Sequence, residues 1–281
     1  MTRIDRRALF SSGAAAALLA ASGVSLDAAP QPGGRLRLAL PREDSALDQL
    51  VRGAAFDSLT EIAPNGVLQG ELAKGWSSSE ARIWQFDLRE DVRFHDGAPM
   101  RANDVVASLN ASAGRGRLGL IAIDAIKDHA LRLELETPNP HLPFLLSDQR
   151  FAICSAGTVG AQLAERIGTG CYFTRRFDGE RHYLGEKVPD HYKQGQAGWL
   201  DSVEAVVIPD PGVRAEALRD GFVDVAVLPT PDLLRSRGNL VFHPSADDMV
   251  FALHRGVGLP SVIATRDGLD DGRLAERWWR I

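Results

Sequence analysis

The sequence predicts an α/β protein with a mixed sheet, and three stretches carry that prediction. In the first, Trp84, Phe86 and Leu88 alternate with Gln85, Asp87 and Arg89, the period-2 pattern of a half-buried strand. By Val105, Val106 and Leu109 the apolar spacing has become helical. In the second, the apolar run Val203–Ile208, a helix opening near Pro211 and the run Val223–Leu228 form a βαβ unit. The third is Arg35–Leu40, a strand launched by Gly33-Gly34.

In the first stretch, Glu90-Asp91 interrupts the alternation and Val92 and Phe94 resume it. His95-Asp96-Gly97 marks a turn whose Gly takes positive φ. Ala98-Pro99 keeps the chain extended, and Asn103 and Asp104 lead into the helix, with the Asp104 carboxylate near the positive end of its dipole. The expected order is strand, turn, strand, turn, helix. Gly114–Gly119 has the bare GxGxxG spacing, but a helix precedes it where a dinucleotide fingerprint needs a strand, so it reads as a mobile loop. Two short strands are expected over Ile123–Glu136. Pro138, Pro140 and Pro143 then break the chain before the apolar segment Phe144–Ile153. Asp178-Gly179, flanked by Tyr172–Phe177 and Arg181–Leu184, signals a hairpin. Val203–Ile208 suits a strand buried on both faces. Asp210 can cap the following helix, with Pro211 in its first position and Gly221 at its end.

Leu88-Arg89, Val92, Phe94-His95-Asp96-Gly97, Pro99 and Asp104-Val105 together resemble the L-R-x-x-V-x-F-H-D-G-x-P block and D-V helix start of the solute-binding proteins of peptide and nickel ABC transporters. Further blocks are similar to the same family: Gly33-Gly34 with the strand after it, Ala46-Leu47-Asp48, Phe56–Leu59, Ile167-Gly168-Thr169-Gly170, and the βαβ unit with Arg214, Ala217, Leu218 and Asp224. The chain departs from the motifs at four places. Arg101 stands where a Ser or Thr cap is usual. Glu71 and Cys171 each stand where the pattern has Pro. Val188-Pro189-Asp190-His191-Tyr192 is a degraded N-P-x-Y-W.

The resemblance implies a periplasmic-binding-protein-like (type II) lobe with a mixed sheet and an inserted smaller α+β subdomain. On this reading residues 30–255 form the lobe, with the main sheet from 30–52 and 167–255 and the inserted subdomain from 53–166. Residues 256–281 form a C-terminal tail that packs back through Trp278 or Trp279, and the second lobe of the family is absent. The implied function is non-catalytic capture of a small peptide or similar solute for an ABC transporter permease. The alternative is a one-lobed relative acting as a periplasmic interaction or regulatory protein, with self-association or a partner protein covering its open face. In the family the loop after the first strand lies beside the ligand cleft, which makes Arg42, Glu43 and Asp44 the candidate ligand-binding residues.

Residues 1–29 read as an export signal. Arg3, Arg6 and Arg7 precede the Ala-rich run Ala8–Ala21, and Asp5–Phe10 resembles a twin-arginine signal. The expected location is the periplasm, with no membrane insertion after signal removal. Removing the segment takes away three Arg and two Asp and moves the formal charge from −5 to −6. That mild acidity argues against nucleic acid and anionic membranes as partners. No nucleophile elbow, HExxH or CxxC occurs, so neither an enzyme nor a cofactor is expected. His95-Asp96 reads as part of a turn, and His182 and His191 lie without a ligand cluster at sequence spacing. Cys154 and Cys171 leave a disulfide open, since sequence does not supply the distance between them.

Overall fold

The computed structural model describes residues 30–42, 46–234, 239–244, 250–260 and 273–281. The proposed signal, residues 1–29, lies outside them. Strand β1 (Arg35–Leu40) is followed by helix α1 (Ala46–Ala55) and the short hairpin β2 (Thr60–Ile62) and β3 (Leu68–Gly70). The chain then builds β4 (Ala73–Ser79), β5 (Ile83–Leu88), helix α2 (Ala102–Ala111), β6 (Leu120–Lys127), β7 (Ala130–Leu135) and the single turn α3 (Leu142–Leu145). It returns through the hairpin β8 (Tyr172–Asp178) and β9 (His182–Lys187), then β10 (Ser202–Val207), α4 (Pro211–Arg219) and β11 (Val225–Leu228). The remaining elements are β12 (Leu240–Pro244), β13 (Val250–His254), β14 (Val257–Gly258), α5 (Leu274–Arg277) and β15 (Trp279–Arg280).

The main sheet has seven strands in the order β12-β13-β11-β1-β10-β9-β8. Its centre is parallel, with β1 between β10 and β11, and every other pairing is antiparallel. The side chains of β1 explain why it sits there. Leu36, Leu38 and Leu40 pack with Leu47, Leu50, Val51 and Ala54 of α1, while Ala39 faces Ala215 and Leu218 of α4. A strand covered on both faces cannot lie at an edge without exposing one of them. In β10, Val203 and Ala205 are fully buried, whereas Val206 and Val207 are only partly so.

A smaller antiparallel sheet, β4-β5-β7-β6, carries a second core. Phe86 and Leu88 of β5 and Leu131, Leu133 and Leu135 of β7 pack beneath Val105 and Leu109 of α2. At the start of α2 the Asp104 carboxylate accepts the Arg101 N–H at 2.9 Å, so half of a capping arrangement persists without Ser or Thr at the cap. At α4 the Asp210 carboxylate accepts the Val213 N–H at 2.9 Å.

Two sequence expectations need correction here. Val92–Phe94 is not a second strand: it makes one isolated bridge, Arg93 to Pro99, and closes a tight turn on itself. Pro99 has no N–H to extend a ladder, and the Gly97 N–H is spent on the Phe94 carbonyl at 2.8 Å. Nor is Gly114–Gly119 a mobile loop, because it forms a 3-10 turn anchored by buried Leu118 and leading into β6.

The His95-Asp96-Gly97 turn docks onto the segment returning to the main sheet. The His95 N–H donates to the Gly168 carbonyl at 3.0 Å, and its Nε2 donates to the Gly170 carbonyl at 2.9 Å. Burial lowers the pKa of His95 and keeps it neutral. Gly168 is glycine for a packing reason, since a Cβ there would lie 2.0 Å from the Ala55 carbonyl oxygen. At the C-terminus β15 pairs with β14, Trp278 is 1% exposed, and its ring meets Phe251 edge-on at 6.0 Å.

Gly97 has φ +86°, and a Cβ there would meet nothing within 4 Å. The cost of Gly97→Val is therefore conformational and not steric crowding by neighbours. A β-branched residue at positive φ should lose roughly 1–3 kcal/mol, which lowers the melting temperature by several degrees at this chain size. Unchanged thermal unfolding of the variant would show that the turn relaxes without penalty.

Candidate functional site

The topology singles out one end of the main sheet. Chain connections leave β1 onto one face through α1 and join β10 to β11 across the other face through α4. In open α/β sheets such a switch point leaves a crevice outside the carboxyl ends of the parallel strands, where ligands bind. Here that end is formed by Pro41-Arg42 after β1, Ile208–Asp210 after β10 and Pro229-Thr230 after β11. Arg42 is exposed there, and among the described residues its ion pair is a 4.0 Å contact with exposed Glu180 of the β8–β9 turn. Such a contact contributes little, so the guanidinium is available to an anionic group. Glu43 and Asp44 lie outside the described residues.

Behind this rim the buried Arg214 guanidinium fixes two strand ends at once. Its Nε donates to the Val227 carbonyl at 2.6 Å, and its Nη1 donates to the carbonyls of Ile208 at 2.6 Å and Pro209 at 2.9 Å. The family-like βαβ motif thus supplies a cation that bonds the backbone, not a solute.

The opposite end of the sheet holds a buried ionic junction. The Lys193 ammonium reaches Asp57 at 2.9 Å, Glu71 at 2.5 Å and Glu276 at 3.0 Å, with all four side chains buried. Arg273 pairs with both oxygens of Glu71, with Glu61 at 3.1 Å and with Glu276 at 3.5 Å. Thr169 donates its hydroxyl to Asp57 at 2.9 Å, and the Ser58 N–H donates to Glu71 at 2.8 Å. Burial alone would depress the Lys193 pKa, but Asp57, Glu276 and Glu71 reverse that and hold it well above the ordinary lysine value. Asp57, Glu71 and Glu276 lie close enough together to ligate a cation. The ammonium already occupies the position such an ion would take.

Beside the junction, Cys171 Sγ lies 3.6 Å from His191 Nδ1 and 3.8 Å from Glu276 Oε2. His191 Nε2 donates to the Thr169 carbonyl at 2.6 Å. A cavity of about 240 Å³ opens here, lined by Cys171, Lys187, Asp190, His191, Gln194 and neighbouring apolar atoms. Cys154 and Cys171 are both buried and free, so they form no disulfide. His191, expected to lack a ligand-type neighbour, is brought to a thiol 20 residues away because the loop after β9 folds back over the start of β8. Sequence reading missed Asp57, Lys193, Arg273 and Glu276, whose partners lie far along the chain. The usable signals were Glu71, Cys171 and His191, three departures from the motifs.

Comparison with known proteins places this architecture. The family described as bacterial extracellular solute-binding proteins, family 5 Middle, matches residues 67–252, and the chain belongs to that family. It is similar to the HTH-type transcriptional regulator SgrR of Salmonella choleraesuis, 31% identical over 159 residues, covering 55% of this chain and 28% of the regulator. It is also similar to the periplasmic oligopeptide-binding protein OppA of Escherichia coli, 27% identical over 271 residues, covering 80% of this chain and 50% of OppA. Among solved structures, the periplasmic binding protein AgaA of A. tumefaciens, in complex with agropinic acid, superposes with a TM-score of 0.68 at 24% identity. That match covers 75% of this chain and 48% of AgaA and shows the shared fold, a type II periplasmic-binding lobe. The chain spans half or less of the length of these relatives.

The junction sets a pH-dependent expectation. Lys193→Met removes one of the junction's two cations: Arg273 still holds Glu71 and Glu276, but Asp57 is left buried with no charged partner among the described residues, which should cost about 3–5 kcal/mol at neutral pH. A carboxylate buried without its counter-ion favours proton uptake in the folded form of the variant. The folded form then binds more protons, so stability should rise as pH falls from 7. In the parent the raised Lys193 pKa stabilises the fold below the ordinary lysine pKa, and this is lost as pH rises through the folded value. Urea unfolding at several pH values checks both signs. A variant curve parallel to the parent's between pH 7 and 5 would refute the assignment.

Proposed function

We propose that the chain is a non-catalytic solute-binding protein that holds a small peptide or similar solute against the carboxyl-end face around Arg42. It delivers that solute to an ABC transporter permease from the periplasm. The observation that supports this reading is membership of the solute-binding family together with the switch point at the carboxyl ends of β1, β10 and β11. Glu43 and Asp44 belong to the same proposed ligand loop. Residues 30–255 act as the lobe and residues 256–281 as its closing tail. Among the described residues no helix is long and apolar enough to cross a membrane, which is compatible with this role.

The match to SgrR supports a second reading, an interaction or regulatory role without tight solute capture. Affinity separates the two. The described lobe offers one wall, so a peptide held by it alone stays half solvated, and few contacts offset its lost freedom and polar desolvation. A strict monomer should bind di- to pentapeptides no tighter than roughly 0.1 mM. Calorimetric titration with a peptide library, with sedimentation reporting the oligomeric state, tests this. Micromolar binding by a monomer would show that one wall suffices and favour transport. No binding at millimolar peptide would favour the regulatory reading.

Export is testable separately. Twin-arginine receptors read the guanidinium pair and not merely its charge, so Arg6→Lys with Arg7→Lys should hold the precursor in the cytoplasm. Normal periplasmic yield of the double variant would assign the segment to the general secretory route.

A further inference from the structure

We propose that Cys171 and His191 form a binding site for a thiophilic divalent metal ion of the zinc type, at the end of the sheet opposite the proposed solute face. The first ground is distance. Zinc bonds sulfur at about 2.3 Å and imidazole nitrogen at about 2.0–2.1 Å, which at a tetrahedral angle separates the two donors by about 3.5 Å. The observed Sγ to Nδ1 distance is 3.6 Å.

The second ground is the orientation of the imidazole. The Nε2 proton is committed to the Thr169 carbonyl at 2.6 Å, so Nδ1 carries the lone pair and faces the sulfur. An outer hydrogen bond from the remote nitrogen to a carbonyl is the arrangement that metal-binding histidines use to fix tautomer and angle. The ring is held further against Tyr192, with centroids 4.5 Å apart. The third ground is room. The two donors line the cavity of about 240 Å³, in which water can complete the shell.

Both donors also stand where the chain departs from its family motifs, Cys171 at a Pro position and His191 at a Tyr position. Neither Pro nor Tyr would supply this pair. Two groups compete with the ion. The Lys193 N–H approaches Nδ1 at 3.2 Å, and Glu276 lies 3.8 Å from Sγ but is engaged by the Lys193 ammonium. Binding therefore replaces one N–H contact and the thiol proton. Sulfur loses its proton to solvent and forms the metal–sulfur bond, His191 donates its lone pair, and no electron is transferred. Metal binding to a thiol releases its proton, so uptake should release one proton per ion. The site does not depend on whether the opposite face binds a solute.

The test is titration of the tag-free, full-length chain with Co(II) in the presence of a non-thiol reductant. A thiolate-to-cobalt charge-transfer band in the near ultraviolet, saturating at one ion per chain and displaced by Zn(II), is expected. Cys171→Ser should abolish the band and His191→Gln should weaken binding at least tenfold, while Cys154→Ser should leave it unchanged. A measurement on the parent chain covers the case in which a variant fails to fold. Zn(II) should slow alkylation of Cys171, mapped by mass spectrometry, and leave Cys154 unaffected. Absence of the band at excess Co(II), a band that survives Cys171→Ser, or equal protection of both cysteines would overturn the proposal.

Discussion

The constraint on which the structure turns is the solvation of one ammonium group. Lys193 is brought into the interior by the loop after β9, and three carboxylates from three other parts of the chain replace the water it gives up. Asp57 comes from the end of α1, Glu71 from the entry to the smaller sheet and Glu276 from α5. A buried ion network is not a strong source of stability compared with an apolar filling, because desolvation takes back much of the Coulombic gain. What it does enforce is correct docking. If the C-terminal segment shifted by a few ångströms, Arg273 would withdraw from Glu71 and Glu276 from Lys193, leaving uncompensated charge in a dry interior. The main sheet, the smaller sheet and the C-terminal segment are thus fixed to one another by a requirement that all members be present.

The two ends of the main sheet divide the work. β8 runs parallel to β10 through the intervening antiparallel β9, so the start of β8, with Cys171 just before it, lies at the amino ends of β1 and β10. The ionic junction, the Cys171–His191 pair and the contacts of Arg280 with Asp224 and the Arg35 carbonyl all gather there. At the carboxyl ends the groups are of another kind: short loops, an exposed Arg42 and backbone carbonyls held by Arg214. Among the described residues, one end gathers the buried ion pairs and the other carries an exposed Arg42 with a single long ion pair.

Much of the fold was legible in the sequence because its signals are local. The alternation in β5, the Asp210 cap, the Asp178-Gly179 hairpin and positive φ at Gly97 each depend on a few adjacent residues. The family blocks added the order of the pieces. Val92–Phe94 misled because its alternation is real, both residues being buried, but the turn that follows leaves no room for a ladder. Of the candidate site, only Arg42 could be placed, since Glu43 and Asp44 lie outside the described residues. The junction was illegible because its pairs are separated by 122, 136 and 83 residues, and no periodicity links a lysine in one loop to carboxylates in three distant segments.

A weaker signal of the junction was nevertheless on view. Read singly, Glu71 in place of Pro is a charge put into an apolar setting, and an unpaired buried carboxylate costs several kcal/mol. The change is tolerable only if cations arrive with it, and Lys193 and Arg273 are those cations. Cys171 and His191 are two further departures from the motifs, brought to 3.6 Å of one another beside the same cavity. Three of the four departures, spread over more than a hundred residues, therefore fall within one small volume, Arg101 being the exception. Independent drift gives no reason for that convergence. The charges and donors that replace the motif residues there contact one another directly, which gives that convergence a physical basis.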